Sequence, residues 1–249
     1  MIGPSSSALS HVTVVIPVFN EERSLPLVLG SIPMAAVKEI LVVDNGSTDA
    51  SARVAAQMGA TVVSERRRGY GSACLAGLAQ LRHRPPDIVV FMDGDFSDHP
   101  EELPLLLAPI RERGCDLVIG SRFLGRAEPG ALLPQARFGN RLAVFLLRVL
   151  YGAHFTDLGP FRAVRYARLM ELGMADRTFG WTAEMQARAA LAGWKTTEVP
   201  VSYRKRVGVS KITGTLGGTL RAGAKILATL FILRLTGSRR GHGPHPGPV

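Results

Sequence analysis

Five short β-branched runs recur along the first half of the chain, and each breaks off in a polar turn before a helix-like stretch. They are residues 11–17 (HVTVVIP), 38–43 (KEILVV), 60–64, 87–92 (DIVVFM) and 115–120. Each is short enough to be a buried strand and too short to be a core helix. Between them, residues 21–31, the stretch from Ser47 or Thr48 to about residue 58, 70–81 and 100–113 read as helices. Ser47 or Thr48 can supply the N-cap of the second. Strands that alternate with helices fold into a mostly parallel, doubly wound α/β sheet. Ligands of such sheets gather at the carboxyl ends of the strands.

The second half reads differently. Residues 134–150 form an amphipathic helix, with Phe138, Leu142, Phe145 and Val149 on one face and Arg137, Arg141 and Arg148 on another. A helix over 181–192 precedes a strand at 197–201. A basic stretch, 204–211, leads into a long helix over 213–235, where Gly218, Arg221, Lys225 and Thr229 oppose Leu220, Leu227 and Phe231. The chain divides into a short extension (1–10), a main domain (11–212), a C-terminal amphipathic helix (213–236) and a Gly/Pro/His/Arg tail (237–249) that reads as disordered. The first ten residues lack the basic and apolar regions of a secretory signal. The apolar run 226–233 is far below the roughly 20 residues of a spanning helix. Cys74 and Cys115 read as buried thiols in a reducing compartment.

Charge narrows the partner class. The 249 residues carry a net charge of +10, unevenly spread: residues 1–125 sum to −3 and residues 126–249 to +13. No carboxylate side chain follows Glu198, whereas nine Lys or Arg do. Such polarity expects an anionic partner at the C-terminal half. Nucleic acid fits poorly, because only Tyr203 and Phe231 offer stacking rings among those late cations. A dinucleotide-binding oxidoreductase fits poorly too, since the first strand ends in Pro-Val-Phe-Asn without a G-x-G-x-x-G turn.

Three strand ends carry the chemistry. Asp93-Gly94-Asp95 closes the fourth strand, where two carboxylates on a turn permitted by Gly94 can face one hard divalent cation, Mg²⁺ or Mn²⁺, and leave room for diphosphate oxygens. Asp44 closes the second strand and can accept hydrogen bonds from a base or ribose; closure of an Asx turn is the competing use. Pro17 to Glu22 ends the first strand, where backbone and Glu21 can line a base. In residues 65–71 (ERRRGYG), three Arg and two Gly precede a helix whose N-terminus can add positive potential toward a diphosphate.

These pieces together resemble family 2 glycosyltransferases with a GT-A fold. VVIPVFNEERSL, LVVDNGSTD, RRRGYGSACLAGL, VVFMDGDFSDHP and VIGSRF follow one another in the family's order, and TDLGPFRAVR, WTAEMQ, EVPVSYRKR and GVSK extend the likeness over residues 11–235. The closest branch resembles dolichyl-phosphate mannose synthases and polyprenyl-phosphate glucosyltransferases. The resemblance implies that Pro17, Phe19, Glu21 and Asp44 hold the nucleoside, that Arg68 and Gly69 lie near the diphosphate, and that Asp93 and Asp95 hold the metal. Arg122, Arg137, Arg206 and Lys211 would face the lipid phosphate or donor phosphates. Asp157, Gly159 and Glu184 would shape the sugar and acceptor site.

The resemblance therefore implies an inverting hexosyltransferase that uses a nucleotide sugar of the UDP-glucose or GDP-mannose type and a polyprenyl or dolichyl phosphate. That acceptor is already an anionic nucleophile and needs cations rather than a base. A hydroxyl acceptor would need a base, for which Asp157 and Glu184 are the candidates. Many relatives continue into transmembrane helices. Here the helices over 138–149 and 216–235 are expected to lie in the interface plane, placing the protein peripherally on the cytoplasmic membrane face.

Overall fold

The computed structural model describes residues 11–208 and 216–237. Residues 1–10, the 237–249 tail beyond Gly237 and Lys211 lie outside the described residues. Seven strands form one sheet: β1 (Val12–Val18), β2 (Glu39–Asp44), β3 (Thr61–Ser64), β4 (Ile88–Phe91), β5 (Leu117–Ser121), β6 (Arg162–Arg165) and β7 (Thr196–Pro200). The helices are α1 (Leu25–Ser31), α2 (Ser51–Gln57), α3 (Tyr70–Leu81), α4 (Leu103–Arg113), α5 (Pro134–Tyr151), α6 (Tyr166–Glu171), α7 (Trp181–Leu191) and α8 (Leu216–Gly237), with a 3₁₀ turn at Pro100–Glu102.

The spatial order is β3-β2-β1-β4-β6-β5-β7, and only β6 runs antiparallel to its neighbours. The chain builds outward from β1 through β2 to β3, then returns to place β4 on the other side of β1. That reversal makes the carboxyl ends of β1 and β4 the topological switch point, where ligands of open α/β sheets bind. Side chains alternate across the strands. Val12, Val14 and Ile16 face a layer with α1 and α4, while Val15, Leu41 and Val43 face α3, α5 and α7. Both faces are thus covered, as a largely parallel sheet requires.

The expected β-α order is present, with two differences. β6 and α6 were not foreseen. Arg162 begins β6 yet is fully buried, its guanidinium donating to the Leu158, Gly159 and Thr182 carbonyls; a charged RAVR segment carries no apolar strand signature. Secondly, neither Ser47 nor Thr48 caps α2. Ser47 Oγ accepts the Asn20 N–H and the Thr48 N–H donates to Asn20 Oδ1, so they lock the β1 and β2 loops together. Asp49 Oδ1 instead takes the Ser51 N–H at the helix start. Helix α5 buries Asn140, Ala143 and Leu147 and leaves Phe138, Phe145 and Val149 59–70% exposed. Its large apolar face therefore points outward.

Helix α8 packs on α5 and α7, and the Tyr151 hydroxyl donates to the Leu230 carbonyl. Thr229 and Leu230 are buried, while Phe231, Ile232 and Leu235 are exposed. Among the described residues no helix is long and apolar enough to cross a membrane. Cys74 and Cys115 are buried free thiols.

Candidate active site

Two clefts meet at the switch point. The smaller, about 370 Å³, is lined by Pro17, Phe19, Glu21, Asn45, Arg68 and Gly69 together with Asp93 and Asp95. The larger, about 500 Å³, runs from Asp93 between the N-terminal half of α5 and the face of α8 formed by Ala222, Gly223, Ile226 and Leu227. Tyr70, Asp93, Phe179 and Arg206 line both.

The Asp-Gly-Asp turn sits where those clefts join. Asp95 is 5% exposed; its Oδ1 accepts the Ser97 N–H (2.9 Å) and its Oδ2 pairs with Arg206 Nη2 (2.8 Å). Asp98, one turn on, is 2% exposed and accepts the Asp93 N–H through Oδ2, leaving its buried Oδ1 without a hydrogen-bond partner. Desolvation, then the Asp95 carboxylate, pushes the Asp93 carboxyl up to about 7 against the pull of Arg206 and Arg122. Burial, then Asp93 and Asp95, likewise raises Asp98. Packed carboxylates of this kind favour an added cation. Among the described residues no group of three or more His, Cys, Asp or Glu could hold a metal, so a cation here would share Asp93 and Asp95 with diphosphate oxygens and water. The donor set, hard carboxylate oxygens beside an open cleft, fits Mg²⁺ or Mn²⁺. Gly94 does not supply the left-handed residue of this turn; Phe96 does, with φ of 62°. Gly94 instead makes room, since a Cβ there would lie 3.1 Å from Val18 Cγ2.

The basic segment after β7 is laid onto this acidic turn by its backbone. The Arg204 N–H donates to the Ser97 carbonyl and the Val207 N–H to the Asp95 carbonyl, both at 2.9 Å. Arg206 thereby reaches Asp95. Burial works against its charge, but Asp95, Tyr203 and Asp93 together outweigh that and raise its pKa.

On the nucleoside side, the Arg68 guanidinium lies 3.1 Å over the Phe19 ring and donates to the Asn45 and Gly46 carbonyls. Asn45 ties down the arginine loop. Its amide donates to the Glu65 and Arg67 carbonyls, and its Oδ1 accepts the Gly69 N–H. Glu21 accepts the Ser24 hydroxyl. Asp44 takes the Ser47 N–H in an Asx-type turn, and Asn45, not Asp44, lines the cleft.

Two amides at the α3 N-terminus are taken by the chain itself. The Ser72 and Gly71 amides donate to the Arg177 and Thr178 carbonyls at 2.9 and 3.2 Å. A Cβ on Gly71 would sit 2.1 Å from the Asp176 carbonyl oxygen, so a glycine lets residues 176–178 pack against the helix start.

The expected acceptor residues divide. Arg122 lines the larger cleft, yet its guanidinium is held bidentately by the fully buried Asp157, at 2.8 and 2.7 Å, and lies 5.0 Å from the Tyr203 ring. Burial alone would lower the Arg122 pKa; the Asp157 pair more than reverses this. Glu184 is 2% exposed and is consumed by the Ala175 and Asp176 amides and by Arg188. Neither Asp157 nor Glu184 lines either cleft. Gly159 makes room for the chain: a Cβ there would lie 2.5 Å from the Gly120 carbonyl oxygen. Arg137 is exposed on the outer side of α5, and Lys211 lies outside the described residues. Sequence reasoning missed Asn45, Tyr70, Phe179 and Tyr203 as site residues. Tyr70, set between Gly69 and Gly71, carried a visible signal; Phe179 carried none.

Known proteins resemble this chain in sequence and in fold. The Glycosyl transferase family 2 profile matches residues 13–173. An uncharacterised glycosyltransferase of Mycobacterium tuberculosis is 45% identical over 213 residues, covering 85% of this chain and 94% of that protein. An undecaprenyl-phosphate mannosyltransferase of Micrococcus luteus is 34% identical, covering 84% and 90%. Glucosyl-3-phosphoglycerate synthase of M. tuberculosis, solved with Mn²⁺, UDP and glucosyl-3-phosphoglycerate, superposes with a TM-score of 0.68 at 25% identity, covering 93% of this chain and 85% of that one. With its motifs at the carboxyl ends of a GT-A sheet and these likenesses across most of its length, the chain belongs to glycosyltransferase family 2.

Proposed function

We propose that this glycosyltransferase moves a hexose, with inversion, from a nucleoside diphosphate sugar to a polyprenyl phosphate. The observation that carries the reading is the shared wall. A cleft built from the nucleoside motifs and a larger cleft between α5 and α8, lined by Leu132, Leu133, Leu142, Ile226 and Leu227, meet at Tyr70, Asp93, Phe179 and Arg206. An isoprenoid chain suits the aliphatic side chains between α5 and α8, and its phosphate would then reach Arg206. The likeness to the M. luteus enzyme supports the same acceptor class.

In this reading a phosphate oxygen of the acceptor attacks the anomeric carbon as the bond from that carbon to the donor's β-phosphate oxygen breaks, releasing the nucleoside diphosphate. No proton has to leave the nucleophile. Arg206 would screen the two phosphates from each other, and Phe19, Asn45 and Arg68 would orient the nucleoside end. Asp93 and Asp95 would hold Mg²⁺ or Mn²⁺, which supplies Lewis-acid stabilisation of the leaving diphosphate. A hydroxyl acceptor is less well served, because the carboxylates expected to act as its base, Asp157 and Glu184, are buried and engaged. The direct test is a panel of UDP- and GDP-sugars against short-chain polyprenyl phosphates with Mg²⁺ or Mn²⁺. Transfer to polyprenyl phosphate is expected; transfer only to hydroxyl acceptors would overturn the assignment.

The outward faces of α5 and α8 support work at a lipid surface. Phe138, Phe145, Val149, Phe231, Ile232 and Leu235 are 49–73% exposed, and Arg137, Arg141, Arg148 and Arg234 flank them. Apolar side chains rimmed by arginine suit the headgroup boundary of anionic bilayers. The protein is expected to float with vesicles containing anionic lipid and the Phe138→Ser/Phe145→Ser/Val149→Ser variant to remain in the soluble fraction. Equal flotation of both would remove α5 from the contact.

A further inference from the structure

We propose that Lys225 of α8 is a positioning residue for the donor site, acting through Asp176 on the strap 175–180; the inference rests on the glycosyl-transfer reading above. The strap is clamped from within. Glu184 takes the Ala175 and Asp176 amides, and Asp176 Oδ1 takes the Thr178 and Gly180 amides at 2.7 and 3.1 Å. The remaining oxygen, Asp176 Oδ2, is held from outside: Lys225 Nζ lies 2.9 Å away and the Thr229 hydroxyl donates to it at 3.3 Å. The Asp176 side chain is 5% exposed. Burial raises its pKa, but the Lys225 and Thr178 hydrogen bonds prevail and lower it. Gly180 leaves space for this joint, since a Cβ there would lie 2.5 Å from both Asp176 Oδ2 and Thr229 Oγ1.

The clamped strap does two things at the site. Its Arg177 and Thr178 carbonyls take the α3 amides, and Thr178 and Phe179 line the donor cleft, with Phe179 also facing the acceptor cleft. Lys225 itself lines neither cleft. Its route to the donor is therefore mechanical: it fixes Asp176, and Asp176 fixes Thr178 and Phe179. The same helix presents Ala222, Gly223, Ile226 and Leu227 to the acceptor cleft. One rigid element thus touches the acceptor on one side and braces the donor wall on another. A small displacement of a positioning group is costly to a site built on fixed geometry.

The test measures affinity for UDP and GDP with Mn²⁺ by calorimetry, without any acceptor. Lys225→Met is expected to weaken the preferred nucleotide about 10-fold, a loss typical of removing a group that orients a binding residue, and Lys225→Arg to restore most of it. Asp176→Asn should weaken it similarly. The Lys225→Met/Asp176→Asn double variant should be no worse than the weaker single one, because both act on one joint. Thr229→Val, which leaves the ion pair in place, gives a milder second probe should Lys225→Met fold poorly. Affinities within twofold of the parent protein, losses that add in the double variant as those of independent sites would, or tighter binding in Asp176→Asn as a through-space charge effect would give, overturn the proposal. The parent protein binding nucleotide but transferring no sugar to polyprenyl phosphate would instead sink the acceptor assignment and leave this comparison standing.

Discussion

Asp95→Asn is expected to lower sugar transfer by on the order of 10²–10³-fold, the scale seen when one preorganised group facing developing charge is removed. The amide preserves shape, and its carbonyl oxygen can still accept the Ser97 N–H that Asp95 Oδ1 takes at 2.9 Å. What disappears is the negative charge. Asp95 Oδ2 is the atom that Arg206 now holds at 2.8 Å and that a divalent cation would share with the donor diphosphate. The loss should therefore appear as a weaker Mn²⁺ dependence at saturating donor, measured by titrating metal against initial rate, with circular dichroism and melting curves near those of the parent. Excess chelator should silence the parent protein to the same degree. Full activity in chelator, or in Asp95→Asn, would remove the metal from the mechanism. Asp93→Asn serves as a check from the neighbouring carboxylate, since Asp93 lines both clefts while the Arg206 ion pair is made by Asp95.

The parts of this site that could be read from sequence are those fixed by local chemistry. β-branched runs ending in Pro-Val-Phe-Asn, Asp-Asn-Gly and Asp-Gly-Asp placed three loops at one end of a parallel sheet, and α3 spans residues 70–81 as its glycine-flanked start suggested. What could not be read depends on tertiary pairing. β6 was hidden because Arg162 and Arg165 bound it; Arg162 is fully buried and Arg165 half-buried, and both rest on carbonyls supplied from elsewhere, Leu158, Gly159 and Thr182 for one and Ile110 and Cys115 for the other. Asp157 and Glu184 looked like acceptor-site acids until their partners, Arg122 and the strap amides, were in view. Periodicity identified two faces on α5, and Phe138, Phe145 and Val149 do point outward, but it did not disclose that Asn140 and Ala143 would supply the buried face or that Leu142 would line the larger cleft. On α8 the polar positions Lys225 and Thr229 serve Asp176, a role that helical spacing alone does not disclose.

Arg206→Met is expected to separate two functions that share one guanidinium. Arg206 lines both clefts and neutralises Asp95, and its backbone neighbour Val207 donates to the Asp95 carbonyl, so the loop stays seated when the side chain changes. Methionine keeps the apolar stem and removes the charge. Without that charge an incoming phosphate meets the donor diphosphate unscreened, and transfer to polyprenyl phosphate should fall by about 10²-fold, in keeping with lost charge-assisted stabilisation. The metal should respond in the opposite sense. Arg206 competes with a divalent cation for Asp95 Oδ2, and its removal leaves the carboxylate pair with one less positive neighbour, so Mn²⁺ should bind more tightly in the absence of nucleotide. Arg206→Lys should recover part of the transfer rate but not the fork geometry. Single-turnover transfer read beside Mn²⁺ affinity decides the matter. A slower transfer with tighter metal supports a phosphate-screening Arg206; an unchanged transfer rate, or a parallel loss of both, would show that Arg206 only holds the Asp95 turn in shape.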